Sequence, residues 1–380
     1  MIPKDFITPA LVSLRTLFVD RGFDIRPVGG CVRDLMSGVA PKDVDLCTDA
    51  DPAEQVQIYQ AAGIRYIETG IEHGTATVVL DGVPYEITSL RLDVETDGRR
   101  ATVAYTRDWI KDLERRDFTI NAMSLTFDGE LIDPFNGLKD LREGLVAFVG
   151  NAETRIREDY LRILRWFRFR GRFGMSMSYS ARRAIEKLAS GLQGISRERV
   201  WSEVSKIIAG KDGPFIMLEM HQMGVAQYID LPDEVDWIHF AEEVAEITRN
   251  PVTLMVAFYH REAEQILRKW KASGAEIRLA EKLRWGTTRG KAVSPFYAMA
   301  VLGWSREDAL ELASIAQMDA FERAVLAEWP VPEFPVSGND LIAAGLKPGP
   351  EFSRRIGIMK NRWADTGYTA SKQDLMVLFD

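Results

Sequence analysis

The sequence is poor in cysteine and histidine, with two cysteines and four histidines among 380 residues. Cys31 and Cys47 are too few for a disulfide framework, and the cysteines and histidines lack the spacing of zinc ligands. No apolar run approaches the ~18 residues that a membrane span needs, and the first residues show no signal-peptide pattern. We therefore expect a cytoplasmic protein with no membrane partner.

Charge is distributed unevenly along the chain. The formal net charge of -8 argues, taken alone, against a nucleic-acid partner, because phosphate backbones favour basic surfaces. Residues 151–210, however, contain thirteen lysines and arginines against six acidic residues. The sequence therefore contains one basic segment inside an acidic chain.

The hydrophobic pattern changes near residue 150. Before this point, short β-prone runs alternate with turns, as in residues 75–80 and 85–90, and Asp81-Gly82 between these two runs predicts a hairpin turn. From about residue 153 onward the apolar residues follow a helical period. We predict an α+β fold class, with a small mixed sheet and its helices followed by an all-α remainder.

Asp43 and Asp45 are separated by one valine in a β-prone run. Alternate side chains of a strand point to the same face, so we expect both carboxylates to point in one direction. Two adjacent like charges repel unless a cation lies between them, and carboxylate oxygens suit Mg²⁺. A polar strand end with solvated aspartates is the simpler explanation of an isolated pair.

Gly29 and Gly30 precede a short helix-like segment that contains Arg33. Glycines allow the backbone to approach a phosphate closely, and a helix N-terminus offers free N–H groups. Arg33 can reach the same anion from the first turn. A strand-to-helix turn with a structural role only is the alternative.

Residues 115–125, RRDFTINAMSL, provide a second basic position. Arg116 can bind a polyphosphate bidentately, which a lysine cannot reproduce. Asp117 and Asn121 are candidates to orient Arg116 or to bind sugar hydroxyls. The alternative is a buried Arg–Asp pair that braces the sheet.

Asp159, Arg162, Arg165 and Arg168 recur every three residues, and we expect them along one stripe of a single helix. An aspartate accepts a hydrogen bond from an exocyclic amine, and a guanidinium donates to a ring nitrogen. Cytosine and adenine present that donor and acceptor, whereas uracil and guanine present the reverse. These four residues therefore predict selection of CTP and ATP. The alternative is that they form a solvated basic face of the helix.

Five motifs in order resemble those of the class II tRNA nucleotidyltransferases, which comprise CCA-adding enzymes and bacterial poly(A) polymerases of the polymerase β-like superfamily. The resemblance covers nearly the whole chain. Its motifs are GGCVRD with DVDL, ETGIEHGTATV, RRDFTINAM with DPFNGLKDL, EDYLR with ILRWFRF, and ERVWSEV.

The resemblance implies four domains: a catalytic nucleotidyltransferase head over residues 1–150, a helical nucleotide-selecting neck over 151–212, a helical body over 213–330 and a helical, tRNA-binding tail over 331–380. It implies that Asp43 and Asp45 are catalytic and bind Mg²⁺. The residues implied to bind the nucleotide are Gly30, Arg33 and Arg116 at the triphosphate, and Asp159, Arg162, Arg165 and Arg168 on the neck. Glu86 is a candidate third carboxylate, and Asn121 is a candidate ligand contact.

The implied reaction is template-independent addition of CCA to the 3′ end of tRNA from CTP and ATP, by two-metal nucleotidyl transfer with release of pyrophosphate. Residues 91–117 contain a full-length loop, which argues against a CC-only enzyme. An A-adding enzyme and a bacterial poly(A) polymerase share the motifs and remain alternatives. A small-molecule nucleotidyltransferase and an inactive RNA-binding protein are the other classes considered. We infer no obligate protein partner.

Overall fold

The computed structural model describes residues 6–67, 70, 74–96, 101–174, 176–232, 238–287 and 293–377. The chain divides into two compact units. The first unit comprises residues 1–212 and 219–231, and the second comprises 213–218 and 232–380.

A five-stranded sheet forms the centre of the first unit. Its strands are β1 (Ile25–Pro27), β2 (Asp45–Thr48), β3 (Tyr66–Ile67), β4 (Thr75–Leu80) and β5 (Val83–Ser89). The order across the sheet is β1-β2-β5-β4-β3. The pairing of β2 with β5 is parallel and the other pairings are antiparallel. The predicted mixed sheet is therefore confirmed.

The predicted hairpin between β4 and β5 is also present. Asp81 and Gly82 both have positive φ, at 51° and 79°, as the two central residues of a type I′ hairpin turn require. Two smaller antiparallel sheets accompany the main one. Their strands are β6 (Arg91–Thr96) with β7 (Ala101–Tyr105), and β8 (Ser124–Leu125) with β9 (Leu131–Ile132).

Five helices surround these strands: α1 (Pro9–Val19), α2 (Gly30–Met36), α3 (Pro52–Ala61), α4 (Trp109–Glu114) and α5 (Gly137–Arg142). The start of α3 is encoded locally, because Asp51 and Glu54 form a reciprocal capping box. Phe18 of α1, Tyr59 of α3 and Ile87 of β5 belong to the buried cluster between helices and sheet. Burial of this apolar surface holds β2 in place at the site described below.

Four further helices complete most of the first unit: α6 (Ala152–Glu158), α7 (Leu161–Phe173), α8 (Tyr179–Leu188) and α9 (Arg197–Ile208). Leu164, Trp166 and Phe167 of α7 are fully buried. The Trp166 Nε1–H donates to the carbonyl of Val146 at 2.8 Å, which ties α7 to the segment after α5. The apolar face of α7 is thus packed, while its arginines remain available on the other face.

The described part of the second unit is helical, which confirms the predicted all-α remainder. Its helices are the first part of α10 (Gly213–Gln222), α11 (Ile238–Ala245), α12 (Pro251–Tyr259), α13 (Ala263–Lys269), α14 (Gly274–Thr287), α15 (Pro295–Ala300), α16 (Arg306–Ile315), α17 (Ala320–Glu328), α18 (Gly338–Ala343), α19 (Pro350–Asp365) and α20 (Lys372–Met376). Trp363 of α19 and Leu375 of α20 share one buried cluster. Among the described residues, no helix has the length and apolarity to cross a membrane.

Candidate active site

A polar cavity of about 520 Å³ lies in the first unit and is lined by residues from β2, α2, α7, α9 and the segment after α4. We call it the main cavity. Eight arginines and three aspartates contribute to its wall. This excess of guanidinium groups in the wall suits the cavity to a polyanion, because arginine binds phosphate oxygens bidentately.

The main cavity brings together eight of the nine site residues predicted from the sequence. These eight are Gly30, Arg33, Asp45, Arg116, Asp159, Arg162, Arg165 and Arg168. The ninth, Asp43, lines an adjacent cavity of about 360 Å³, which shares Gly30, Arg33 and Asp45 with the first. Residues that are more than 100 positions apart in the sequence thus meet at one place.

Asp43 and Asp45 do not occupy alternate positions of one strand, so this expectation was wrong. Asp43 lies in a bend and β2 begins only at Asp45. Pro41 lacks a backbone donor and the preceding residues favour a turn, which delays the start of the strand. Both carboxylates are nevertheless exposed and line the same adjacent cavity.

Glu86 lies beside Asp45. The two residues are register partners in the parallel pairing of β2 with β5, so their side chains project from the same face of the sheet. Glu86 is exposed. We call Asp43, Asp45 and Glu86 the carboxylate edge.

The carboxylate edge suits a hard divalent cation. Its donors are carboxylate oxygens. Although Asp45 is exposed at the cavity, the surrounding protein partly desolvates its carboxyl group and raises its pKa. The Arg116 guanidinium opposes this shift, and the charge of Asp43 reinforces it. A bound cation would relieve this repulsion. In the described part of the chain, no group of three His, Cys, Asp or Glu side chains is arranged as a complete metal centre. A metal here would therefore need further oxygen ligands, such as nucleotide phosphates.

The turn before α2 requires glycine at position 29. Gly29 has φ of 66°, and a Cβ at this position would lie 2.6 Å from Nη1 of Arg116. The close approach places the backbone of the turn directly against the guanidinium. Gly29 and Arg116 therefore form one wall of the main cavity.

Arg116 forms an ion pair with an aspartate, as the structural alternative expected, but the partner is the buried Asp112 of α4 and not the neighbouring Asp117. Its Nη2 donates to Oδ2 of Asp112 at 3.1 Å, and Asp112 also binds Arg115 at 2.8 Å. Although burial acts to raise it, the two arginines hold the pKa of Asp112 below its usual value. Asp112 thus fixes Arg116 in the wall of the main cavity.

A chain of hydrogen bonds joins Arg33 to Arg165 across the main cavity. Nη1 of Arg33 donates to Oδ1 of Asn121 at 2.5 Å, and Nδ2 of Asn121 donates to Oδ1 of Asp117 at 3.0 Å. Oδ2 of Asp117 accepts from Nε of Arg165 at 2.7 Å. Although burial acts to raise it, the Arg165 guanidinium and the Asn121 amide hold the pKa of Asp117 below its usual value. Asn121 thus connects two predicted ligand-binding arginines.

Asp159 does not lie on the same helix as the three arginines, which corrects the predicted single stripe. Helix α6 ends at Glu158, Asp159 has an extended backbone, and α7 begins at Leu161. Oδ1 of Asp159 accepts from the Leu161 N–H at 3.0 Å. Aspartate favours such a position, because its side chain competes with the helix for backbone N–H groups. The Arg162 N–H still donates to the Asp159 carbonyl at 3.0 Å, so these two residues remain one turn apart.

We call Asp159, Arg162, Arg165 and Arg168 the base-selecting row. Every member has an ionic partner. The partners are Arg199 for Asp159 at 2.7 Å, Glu158 for Arg162 at 2.5 Å, Asp117 for Arg165 at 2.5 Å and Glu203 for Arg168 at 2.8 Å. The partners come from three different parts of the first unit, so the row is braced from several sides.

Comparison with known proteins places this site in a family. Residues 25–147 match the profile of the Poly A polymerase head domain, and residues 174–233 match that of the probable RNA and SrmB- binding site of polymerase A. The human CCA tRNA nucleotidyltransferase 1, mitochondrial, is 37% identical over 98% of this chain and 90% of its own length. A CCA-adding enzyme of Leuconostoc mesenteroides is 32% identical over 93% of this chain and 90% of its own length.

The chain belongs to the CCA tRNA nucleotidyltransferase family. The crystal structure of the Bacillus stearothermophilus CCA-adding enzyme in complex with CTP superimposes with a TM-score of 0.78 at 26% identity, over 95% of this chain and 94% of that one. A CCA-adding enzyme solved with ATP shares the fold, with a TM-score of 0.71 at 22% identity over 98% of this chain and 95% of that one. The polymerase β-like head and the nucleotidyltransferase activity expected from the motifs are thereby confirmed.

The structure also reveals site residues that sequence reasoning missed. Arg115, Arg172 and Arg199 line the main cavity but were not predicted as site residues. Arg199 stands inside the quoted motif ERVWSEV, yet no regular spacing connects it with Asp159, 40 residues earlier. Such pairs form only when α9 packs against α7.

Proposed function

We propose that the protein adds CCA to the 3′ end of tRNA, using CTP and ATP and releasing pyrophosphate. One observation carries this proposal. The main cavity joins Asp45 of the carboxylate edge to the arginines of the head and to Asp159 and Arg162 of the neck. A triphosphate and its base thus have binding groups on opposite parts of one cavity. The names of the relatives, and the solved complex of one relative with CTP, support the same reaction.

The head residues hold the triphosphate and the reacting groups. Arg116 and Arg33 bind phosphate oxygens, and Gly29 and Gly30 allow the phosphates close access to the backbone. Asp43 and Asp45, with Glu86 beside them, hold Mg²⁺. When bound, Mg²⁺ lowers the pKa of the RNA 3′-hydroxyl and neutralises charge on the phosphates.

The bond changes require no nucleophilic side chain. The 3′-hydroxyl oxygen gives up its proton to solvent and forms a bond with the α-phosphorus of the nucleotide. The bond between the α-phosphorus and the bridging oxygen breaks to release pyrophosphate. Arg116 and Arg33 balance the negative charge that moves onto the leaving group. The main contributions of the chain are thus positioning and charge stabilisation.

The neck residues select the base. The Asp159 carboxylate accepts from the exocyclic amine of cytosine or adenine, and Arg162 donates to the adjacent ring nitrogen. Uracil and guanine place a carbonyl where the amine is needed. They are rejected because that carbonyl oxygen and the Asp159 carboxylate are both acceptors, and neither supplies a proton for a hydrogen bond.

The domain organisation supports a tRNA substrate. We assign the head to residues 1–150, the neck to 151–212, the body to 213–330 and the tRNA-binding tail to 331–380. The profile matches over residues 25–147 and 174–233 agree with a head followed by an RNA-binding region. We further propose a cytoplasmic location, in keeping with the free, buried cysteines Cys31 and Cys47. The human relative is named as mitochondrial. Fractionation of cells that express a tagged chain tests the cytoplasmic location.

Three tRNA transcripts test the reaction, ending at the discriminator base, at C and at CC, each with one labelled nucleoside triphosphate at a time. CCA addition predicts incorporation of C on the first two transcripts and of A only on the third. Addition of A to CC ends without any C incorporation would instead identify an A-adding enzyme. Repeated addition of A to any RNA would identify a poly(A) polymerase, and no transfer to RNA would favour the other two classes.

A further inference from the structure

The adjacent cavity and the main cavity have four lining residues in common: Gly30, Arg33, Asp45 and Arg172. Gly30 and Arg33 are two of the residues that we propose at the triphosphate. The base-selecting row, in contrast, lines the main cavity only. A nucleotide whose base lies against the row therefore extends its phosphates past Gly30 and Arg33 and into the adjacent cavity.

Arg33 has little capacity left for the outer phosphates. Its Nε and Nη2 donate to Oδ1 of Asp34 at 3.0 and 2.8 Å, and its Nη1 donates to Oδ1 of Asn121 at 2.5 Å. A guanidinium has five N–H donors, so at most two remain, and Arg33 is only 5% exposed. Asp43 and Asp45 also line the adjacent cavity and repel a phosphate. The adjacent cavity therefore needs further cationic side chains to hold one.

Arg172 and Lys42 provide these cationic groups. The side chain of Arg172, near the end of α7, is 49% exposed, and its Nη2 donates to Oδ2 of Asp34 at 3.1 Å. The two oxygens of Asp34 thus hold the guanidinium groups of Arg33 and Arg172. Lys42 is exposed, and in the described part of the chain it has no hydrogen bond or ion pair. Both Arg172 and Lys42 line the adjacent cavity.

We propose that Arg172 and Lys42 form a subsite for the terminal phosphate of the incoming nucleotide, an inference that rests on the proposed function. Arg172 lines both cavities and so lies where the phosphates pass from one to the other, whereas Lys42 lines the adjacent cavity alone. The subsite serves CTP and ATP alike, because it contacts phosphate and not the base. The same phosphate leaves as part of pyrophosphate, so the subsite also holds the product before its release.

Calorimetric titration of CMP, CDP and CTP, with Mg²⁺ and without RNA, tests the subsite, because no turnover occurs under these conditions. In the wild-type protein, CTP should bind more tightly than CDP. R172Q should weaken binding of CTP about 10-fold and leave the Kd for CMP unchanged, because a charge-assisted hydrogen bond to the terminal phosphate is lost. K42Q should weaken binding of CTP about 5-fold, since lysine contacts a phosphate as a point charge. K42R keeps the charge and should retain most of the affinity for CTP.

R157Q is the matched control. The side chain of Arg157 on α6 is 50% exposed and forms an ion pair with Glu153 at 3.3 Å, yet Arg157 lines neither cavity. Its substitution removes the same charge and a similar ion pair from the first unit. We expect R157Q to bind all three nucleotides as the wild-type protein does.

The outcomes separate this inference from the proposed function. Equal weakening of CMP, CDP and CTP in R172Q or K42Q overturns the role of that residue at the terminal phosphate, and so does unchanged binding of all three. Unchanged nucleotide binding together with weaker binding of a tRNA transcript overturns the subsite and assigns these side chains to a phosphate of the RNA. If R172Q does not fold by circular dichroism, K42Q decides. Failure of the wild-type protein to add C to any transcript overturns the proposed function instead.

Discussion

The carboxylate edge and the base-selecting row differ in how their charges are balanced. Among the described residues, the carboxylates of Asp43, Asp45 and Glu86 have no hydrogen bond or ion pair within the chain, whereas each member of the row has an ionic partner within 3 Å. Unbalanced carboxylates are ready for an external cation. Charged side chains that the protein itself pairs and orients are suited to recognise the hydrogen-bonding groups of a bound ligand. One site thus combines an edge whose carboxylates have no partner among the described residues with a row that the protein itself organises.

Removal of Asp45 is the most direct way to break the carboxylate edge. D45A should lower kcat/KM for CTP by ~10³-fold or more, about 4 kcal/mol of transition-state stabilisation, while tRNA binding persists. The measurement is single-nucleotide incorporation beside a filter-binding assay. D128N is the control, because Asp128 is an exposed carboxylate paired only with Arg15. Transfer by D45A at close to the wild-type rate would contradict the role of the edge.

Closing the space between the glycine turn and Arg116 is expected to have the next largest effect. In G29A the new Cβ lies 2.6 Å from Nη1 of Arg116, and the residue must also hold a positive φ. We expect kcat/KM to fall ~100-fold for CTP and ATP alike, because the phosphate-binding wall serves both. G22A separates the causes, since Gly22 has φ of 82° with nothing within 4 Å of its Cβ position. A similar loss of activity in G22A would show that backbone strain, not contact with Arg116, is responsible.

The ion pair between Arg165 of the row and the buried Asp117 makes a pH-dependent contribution to the free energy of unfolding. Asp117 has a lowered pKa in the folded protein, so its contribution is present above the unfolded pKa of ~3.9 and is lost as pH falls through the folded value. Breaking its pairing in D117N should cost about 3 kcal/mol near neutral pH. Urea unfolding of both proteins between pH 7 and pH 3 measures this difference, which should shrink only toward the acidic end. A difference that grows with acidification would have the wrong sign for this account.

Removal of an ion pair outside the cavity should have the smallest effect on stability and on base preference. This comparison separates ion pairs of the site from ion pairs of the solvent-exposed surface. Arg182 and Glu186 of α8 form an exposed pair, with side chains 44% and 40% exposed. R182A should change the free energy of unfolding by no more than ~0.5 kcal/mol and leave the preference for CTP over UTP intact. Thermal unfolding and the incorporation assay check both values. An altered preference for CTP over UTP in R182A would show that residues outside the cavity also determine base selection.

Much of the site could be predicted from short patterns. The glycine turn, Arg33 and Arg116 are each encoded within a few residues, and the main cavity contains all of them. Two errors arose where local chemistry overrode periodicity. The strand begins at Asp45 rather than before Asp43, and Asp159 lies between α6 and α7 rather than on one helix with the three arginines.

Three of the four ionic partners of the row could not be predicted, because they depend on packing. Glu158, the fourth, lies only four positions before Arg162. Arg199 and Glu203 reach the row only because α9 lies against α7. Asn121, which lies 88 positions after Arg33, links Arg33 to Asp117. No spacing rule relates such residues. The side chains that bind a ligand are thus easier to recognise in a sequence than the side chains that orient them.

Binding of CTP and UTP with and without Mg²⁺, measured by calorimetry on the wild-type protein, tests the contrast between edge and row most directly. If the row is organised by its own partners, removal of Mg²⁺ should weaken binding of both nucleotides by the same factor and leave the preference for CTP unchanged. Disappearance of that preference together with Mg²⁺ would contradict the account.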